Sequence, residues 1–245
     1  MNLILFESDE TDRPLPRTDP RARHLLEILR RGPGDTFDAG LINGPRGKGT
    51  LAAIGANELR LSFQWGEAPA LPSSITLIVG LPRPQTARDI LRDATALGVA
   101  AMHFVLTEKG ERSYADSTLW TSGEWRHQLI AGAGQAFDTR LPEITHGRTL
   151  KEALVSQPAG AVRLALDHYE ATQALSRCHS LNDISPALPP LIVLAFGPER
   201  GWSATEREQL RKQGFSLVHL GSRVLRAETA VIAAVTLVRV RLGLT

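Results

Sequence analysis

Two glycine-bearing stretches near the C-terminus, Phe196-Gly-Pro-Glu-Arg-Gly-Trp202 and Leu220-Gly-Ser-Arg-Val-Leu-Arg-Ala-Glu-Thr-Ala230, limit what this chain can become. Each follows an apolar strand-like run, Leu191 to Phe196 and Phe215 to Leu220, and each opens a helix-like run. Glycine lets the backbone turn with no Cβ in the way, so N–H and C=O groups can face a ligand closely. In open α/β sheets, ligands sit at the carboxyl ends of strands. The pattern predicts a parallel sheet whose last loops form a binding cleft.

Upstream, the texture divides in two. Residues 1–68 read as β-rich: Leu3 to Phe6, Thr36-Phe37, Thr50 to Ile54 and Leu59 to Phe63, with Gly55-Ala-Asn57 as a hairpin turn. One helical pattern interrupts them, with Asp19 as N-cap, Pro20 in first position and Gly32-Pro-Gly34 as its stop. Short strands around one helix suggest a small barrel. Gly66 to Pro72 is the linker candidate. Residues 73–245 then alternate strands (Ile75 to Leu81, Ala101 to Leu106, Arg163 to Asp167) with helices (Thr86 to Leu97, Trp120 to Phe137, Glu170 to Arg177). This α/β alternation implies a mostly parallel sheet covered on both faces. The last helix, Ala230 to Leu242, is apolar almost all round and must be buried.

Net charge is only +2 over 245 residues, but it is unevenly spread. Six arginines between Arg13 and Arg31 face two acidic residues, and seven basic residues after Gly201 face three. Such local basic surface suits phosphate contacts, or simply a solvated face. Cys178 is alone, which excludes an internal disulfide and a cysteine-cluster metal site, and the seven histidines show no metal spacing. No apolar run reaches membrane-spanning length, and Glu7, Asp9 and Glu10 stand where a signal peptide needs positive charge. The expectation is a cytoplasmic protein with no metal and no membrane partner.

Ser203 and Glu206 form a capping box for the helix after the first loop, and Glu228 or Thr229 could cap the last helix. If Arg200 needs a positive φ, it carries strain of roughly a kcal/mol. Gly132-Ala-Gly134 lacks the preceding strand of a dinucleotide fingerprint, and Gly44-Pro-Arg-Gly-Lys48 is followed by Gly49 where a phosphate loop has Ser or Thr.

The two loops together resemble a specific pattern, GPE-x-G-aromatic followed by LG-x-x-(I/V)-LR-x-ETA. This pattern is similar to that of the bacterial small-subunit (16S) ribosomal RNA uridine-N3 methyltransferases (RsmE), of the SPOUT superfamily. Arg23-His24-Leu-Leu-Glu-Ile-Leu-Arg30 with Gly34-Asp35 resembles the family's signature in a PUA-like RNA-binding barrel. Leu81-Pro-Arg83, Thr95-Ala-Leu-Gly-Val99, Thr107 to Arg112, and Gln135 with Arg140-Leu-Pro142 resemble further family segments. Ala96, Arg200 and Trp202 depart from its usual Glu, Gly and Phe.

The resemblance implies a PUA-like β-barrel over 1–68 and a SPOUT domain with a deep trefoil knot over 73–245. It implies S-adenosyl-L-methionine as cofactor, held by Leu166, Gly197, Pro198, Gly201, Leu220, Gly221, Val224, Leu225, Arg226, Thr229 and Ala230. It implies RNA contacts at Arg21, Arg23, His24, Arg30, Arg31, Arg83, Arg112 and Arg140. It also implies a homodimer, for which Val231, Ile232, Val235 and Val238 offer an apolar face, and an assembled or partly assembled 30S subunit as substrate. Uridine N3 carries a proton, so methylation there needs a base or a cation that stabilises the anion. Arg226 is the expected cation. Glu199 or Glu228 could be the base, or each could hold a loop. A paralogue with another RNA target, and a ribosome-assembly factor without cofactor, are the alternatives.

Overall fold

The computed structural model describes residues 3–66, 74–181 and 190–243. The chain divides into two units, Met1–Leu71 with Ala133–Leu141, and Pro72–Gly132 with Pro142–Thr245. The linker candidate beyond Gly66 and the expected boundaries at 68 and 73 lie outside the described residues.

The first unit holds β1 (Ile4–Phe6), β2 (Leu15–Pro16), α1 (Pro20–Arg23), β3 (Thr36–Leu41), β4 (Arg46–Ile54) and β5 (Glu58–Trp65). The sheet order is β1-β3-β4-β5-β2, with β1 parallel to β3 and the remaining pairs antiparallel. Among the described residues no ladder joins the edge strands β1 and β2. Yet Phe6, Leu15, Phe37, Leu51 and Leu59, one from each strand, share one core with Leu25 of the helix. The sheet must therefore curl around that core. Local signals set its ends: Gly55 N–H closes the β4–β5 turn on Glu58 O at 2.8 Å, and Asp19 caps α1 by accepting the Arg21 N–H at 2.8 Å. The helix then widens into a π-turn over His24–Ile28. The stretch Gly134 to Leu141 also belongs here: Gly134 O accepts the Leu3 N–H, and Thr139 O accepts the Asn43 N–H.

Arg21, expected on the RNA-facing surface, is half-buried instead. Its guanidinium bridges Glu10 (2.7 Å) and Asp19 (2.8 Å) and lies 4.9 Å from the Phe6 ring centroid. Hydrogen bonds from Arg21 hold the Glu10 carboxyl below the usual carboxylate range. Burial pushes Asp19 up, but its bonds to Arg21 outweigh that and leave it low as well. Two depressed carboxyls mean the unfolded state binds more protons, so stability rises with pH through this range. Their contribution is complete above ordinary carboxylate pKa values and is lost as pH falls through the depressed ones. Thermal melts of Arg21→Ala are therefore expected to be less stable at neutral pH and to lose less on acidification than the parent.

The second unit runs β6 (Ile75–Gly80), α2 (Pro84–Ala96), β7 (Ala101–Leu106), α3 (Thr118–Thr121), α4 (Glu124–Gln135), β8 (Glu143–Thr149), α5 (Leu150–Val155), β9 (Val162–Leu166), β10 (Gln173–Ala174), β11 (Ile192–Phe196), α6 (Ala204–Lys212), β12 (Ser216–His219) and α7 (Ala227–Arg241), the end of α4 passing into the first unit. Its seven strands form one wholly parallel sheet, ordered β10-β12-β9-β11-β6-β7-β8. The central strand β11 is buried at every position, which explains an apolar run without alternation.

Four expectations need correction. The long helix Trp120 to Phe137 is two helices, broken at Gly123, whose φ of 77° is left-handed. Glu170 to Arg177 is helical only at its end: Gln173 and Ala174 pair with β12 at the sheet edge, and a 3-10 helix covers Leu175–Arg177. There, tertiary pairing overrides a weak local propensity. Neither Glu228 nor Thr229 caps α7; the cap position is Arg226, with no side-chain hydrogen bond. Finally, Val231, Val235 and Val238 are fully buried within the single chain, where α7 packs on α2. Ile232 is half-buried, and the large apolar side chains that α7 leaves exposed are Leu237 (36%) and Val240 (56%). Among the described residues no helix is long and apolar enough to cross a membrane, and no cluster of His, Cys, Asp and Glu could hold a metal ion.

Candidate active site

Strand β9 pairs with both β11 and β12, setting Leu166 opposite Phe196 and Val218. Three parallel strands thus end side by side, and the loops that follow them converge. Between them lies a cleft of about 140 Å³, lined by Leu166, Gly197, Pro198, Glu199, Gly201, Leu220, Val224, Leu225 and Ala230, together with Asp167, His168, Tyr169, His219 and Arg223. An adjoining pocket of about 490 Å³ is lined by Arg226 and Glu228 with Arg83 and Thr86, and shares Glu199, Val224, Leu225 and Ala227 with the cleft. Gly221 and Thr229 line neither.

Close packing positions the first loop. A Cβ on Gly80, at the end of β6, would lie 2.6 Å from the Pro198 nitrogen, so only glycine lets the loop pass. The turn closes with the Gly201 N–H on Pro198 O at 2.7 Å, and Gly201 takes a φ of 67°. Arg200 is not among the residues with positive φ, so the strain considered for it does not arise. Glu199 accepts the Arg83 N–H at 2.9 Å, tying this loop to the start of α2. Trp202 is fully buried, and its Nε1–H donates to Leu166 O at 3.1 Å. The expected capping box is present: Ser203 Oγ accepts the Glu206 N–H, and Glu206 accepts the Ser203 N–H. Glu206 also accepts the Glu108 N–H at 2.8 Å.

The loop after β9 is held by charge. Asp167 Oδ1 accepts the N–H groups of Tyr169 (2.8 Å) and Glu170 (2.6 Å), and Oδ2 accepts from Arg207 Nε at 2.7 Å. This ion pair is almost wholly buried. The Arg207 guanidinium also lies 5.4 Å from the Tyr169 ring centroid. Tyr169 itself is 72% exposed at the cleft, where Val224 is 76% and Leu225 37% exposed. On the third loop, His219 Nδ1 accepts the Gly221 N–H at 3.0 Å, making Nδ1 the unprotonated ring nitrogen. The result is a cleft between three strand-end loops with an uncovered apolar rim of Tyr169, Val224 and Leu225, suited to a flat heteroaromatic ligand. A guanidinium stands in the next pocket.

A family model described as an RNA methyltransferase domain matches residues 69–239. The ribosomal RNA small subunit methyltransferase E of Treponema pallidum is 34% identical over 97% of this chain and 90% of its own. The chain belongs to this RNA methyltransferase family. Methyltransferase E 1 of Borreliella burgdorferi is 29% identical over 96% of this chain and 95% of its own. Among solved structures, methyltransferase E of Neisseria gonorrhoeae, bound to S-adenosyl methionine, superposes with a TM-score of 0.73 at 24% identity, over 98% of this chain and 97% of that one. A probable rRNA-methyltransferase from Porphyromonas gingivalis gives 0.77 at 19%, over 98% and 99%. At these identities the structural likeness establishes the shared fold.

In this methyltransferase, the residues expected to touch RNA fall on both units. Arg23, Arg30 and Arg31 are exposed on the first unit and His24 is half-buried there, while Arg140 is paired with Asp138 at 3.0 Å. Arg83 and Arg112 are exposed on the second unit. The sequence reading missed Tyr169 in the cleft, because it lies outside both glycine-bearing motifs, and gave no role to Arg223, which lies within the second. Gly80→Ala in the methyltransferase should cost about 1–3 kcal/mol, since the added methyl meets backbone that must move. Denaturant unfolding would measure it.

Proposed function

We propose that the protein methylates N3 of one uridine in small-subunit (16S) ribosomal RNA, with S-adenosyl-L-methionine as donor. The observation that carries this reading is the cleft at the ends of β9, β11 and β12, with Arg226 in the pocket beside it. The cofactor fits the residues present. Gly197 keeps the loop open, since a Cβ there would lie 3.1 Å from Gly201 Cα, and Val224 and Leu225 expose apolar surface an adenosine would cover. Leu166, Gly197, Pro198, Gly201, Leu220, Leu225 and Ala230 would hold it.

When bound, the cofactor supplies a methyl group on an electrophilic sulfonium. The chain aligns the acceptor and manages its proton. Arg226, always charged, stabilises the uridine anion that forms as N3 loses its proton. Glu228 lines the same pocket and takes that proton, while Glu199 stays on the Arg83 N–H as a loop anchor. Gly221 and Thr229 support the loop and helix from outside the linings. Arg23, Arg30 and Arg31 grip phosphates from a PUA-like first unit, and acting on ribosomal RNA the enzyme works in the cytoplasm, on assembled or partly assembled 30S subunits. The order β12-β9-β11-β6, with α7 returning to α2, supports a trefoil knot of the last three loops. Leu237 and Val240 support a homodimer through the outer face of α7. Sedimentation at micromolar concentration should give a dimer, and Val240→Glu a monomer.

Mapping modified uridines in 16S ribosomal RNA of a strain lacking the gene tests the activity. One N3-methyluridine should vanish, return with the intact gene, and stay absent with Arg226→Ala. An unchanged map would sink the reading. Failure to bind S-adenosylmethionine in a calorimetric titration would favour a ribosome-assembly factor instead.

A further inference from the structure

We propose that a third pocket, bounded by Arg83, Lys109, Tyr114 and Arg200, seats the RNA nucleotide next to the one methylated. This inference rests on the reading of the protein as an RNA methyltransferase. The pocket, of about 140 Å³, shares Arg83 and Glu199 with the pocket of Arg226. The loop bearing Glu199 is therefore a wall common to all three spaces, and Arg83 further joins the pocket of Arg226 to that of Arg200.

The chemistry of its lining is that of a single-strand site: cations for a phosphate and a ring for a base. The lining sets three cations against two carboxylates, Glu199 accepting the Arg83 N–H and Glu111 the N–H and hydroxyl of Ser113. Lys109 is held on Trp202 O at 2.9 Å. The side chains of Arg83 and Arg200 are exposed and, among the described residues, pair with no carboxylate. They are left to take a phosphate, and the half-buried Tyr114 offers its ring to the base.

The test uses the full chain and a labelled single-stranded oligouridylate, followed by fluorescence anisotropy across a salt series. Arg200→Gly should weaken binding about tenfold and reduce the slope of log affinity against log salt by about 0.7, the change expected when a single strand is gripped at one phosphate fewer. Tyr114→Leu should weaken binding by about tenfold at unchanged slope, with Tyr114→Phe restoring it. Affinity for S-adenosylmethionine should stay unchanged in all three. Parental RNA affinity in both Arg200→Gly and Tyr114→Leu, or no RNA binding by the parent, overturns the subsite. A parent that methylates normally while both variants bind RNA normally sinks the subsite alone. A parent that binds RNA through Arg200 but leaves the 16S methylation map unchanged sinks the activity and keeps the subsite.

Discussion

Leu225→Asp should weaken S-adenosylmethionine binding by more than about a hundredfold while leaving the fold intact. Leu225 lines the cleft and is 37% exposed, so its apolar face is available to a ligand and its loss opens no core cavity. Covering a leucine is worth about 1.5–3 kcal/mol, and a carboxylate in its place adds the penalty of desolvating a charge with no partner. Together these exceed the roughly 2.7 kcal/mol that a hundredfold in affinity represents. Calorimetry measures the affinity, and an unshifted thermal midpoint shows that folding is spared. Leu225→Ala should lose only about tenfold, because it removes apolar cover without adding charge. Parental affinity in Leu225→Asp would mean the ligand sits elsewhere.

The second large effect concerns what lies under the cleft. Arg207→Ala should destabilise the protein by about 3–5 kcal/mol, because it leaves Asp167 buried with its charge unmatched. The two backbone N–H groups on Asp167 Oδ1 place the expected value toward the lower end. Pairing the change with Asp167→Asn should recover part of the loss, a coupling that a double-mutant cycle in denaturant reads directly. The same variant frees the Tyr169 loop, so cofactor affinity should fall together with stability. A loss under about 1 kcal/mol would show that the buried pair does not hold this loop.

Sequence reading worked where a signal is local. Asp19-Pro20 sets the start of a helix and Ser203 with Glu206 another, because cap and partner lie within one turn of each other. The strands β7 and β11 are apolar runs between clear breaks, and they stand where expected. It failed where pairing came from far along the chain. Strand β8, Glu-Ile-Thr-His-Gly-Arg-Thr, has no alternation to betray it, because it is a largely exposed edge held by β7. Ala133 to Leu141 joins the first unit, although it begins inside α4, whose earlier turns belong to the second.

The sequence by itself determined the α/β class of the second unit and the two glycine loops at its strand ends. Those rest on short-range geometry: glycine at turns, capping across one helical turn, and apolar runs that need cover on both faces. Only the tertiary structure decided that β9 lies between β11 and β12, which brings Tyr169 to the cleft. It alone moved Arg21 from the surface into an ion network, and Val231, Val235 and Val238 from an open face into the core. The physical reason is common to all three. A residue's charge or apolar surface is fixed by its type, but whether it is free depends on what folds against it, and those partners lie distant in sequence.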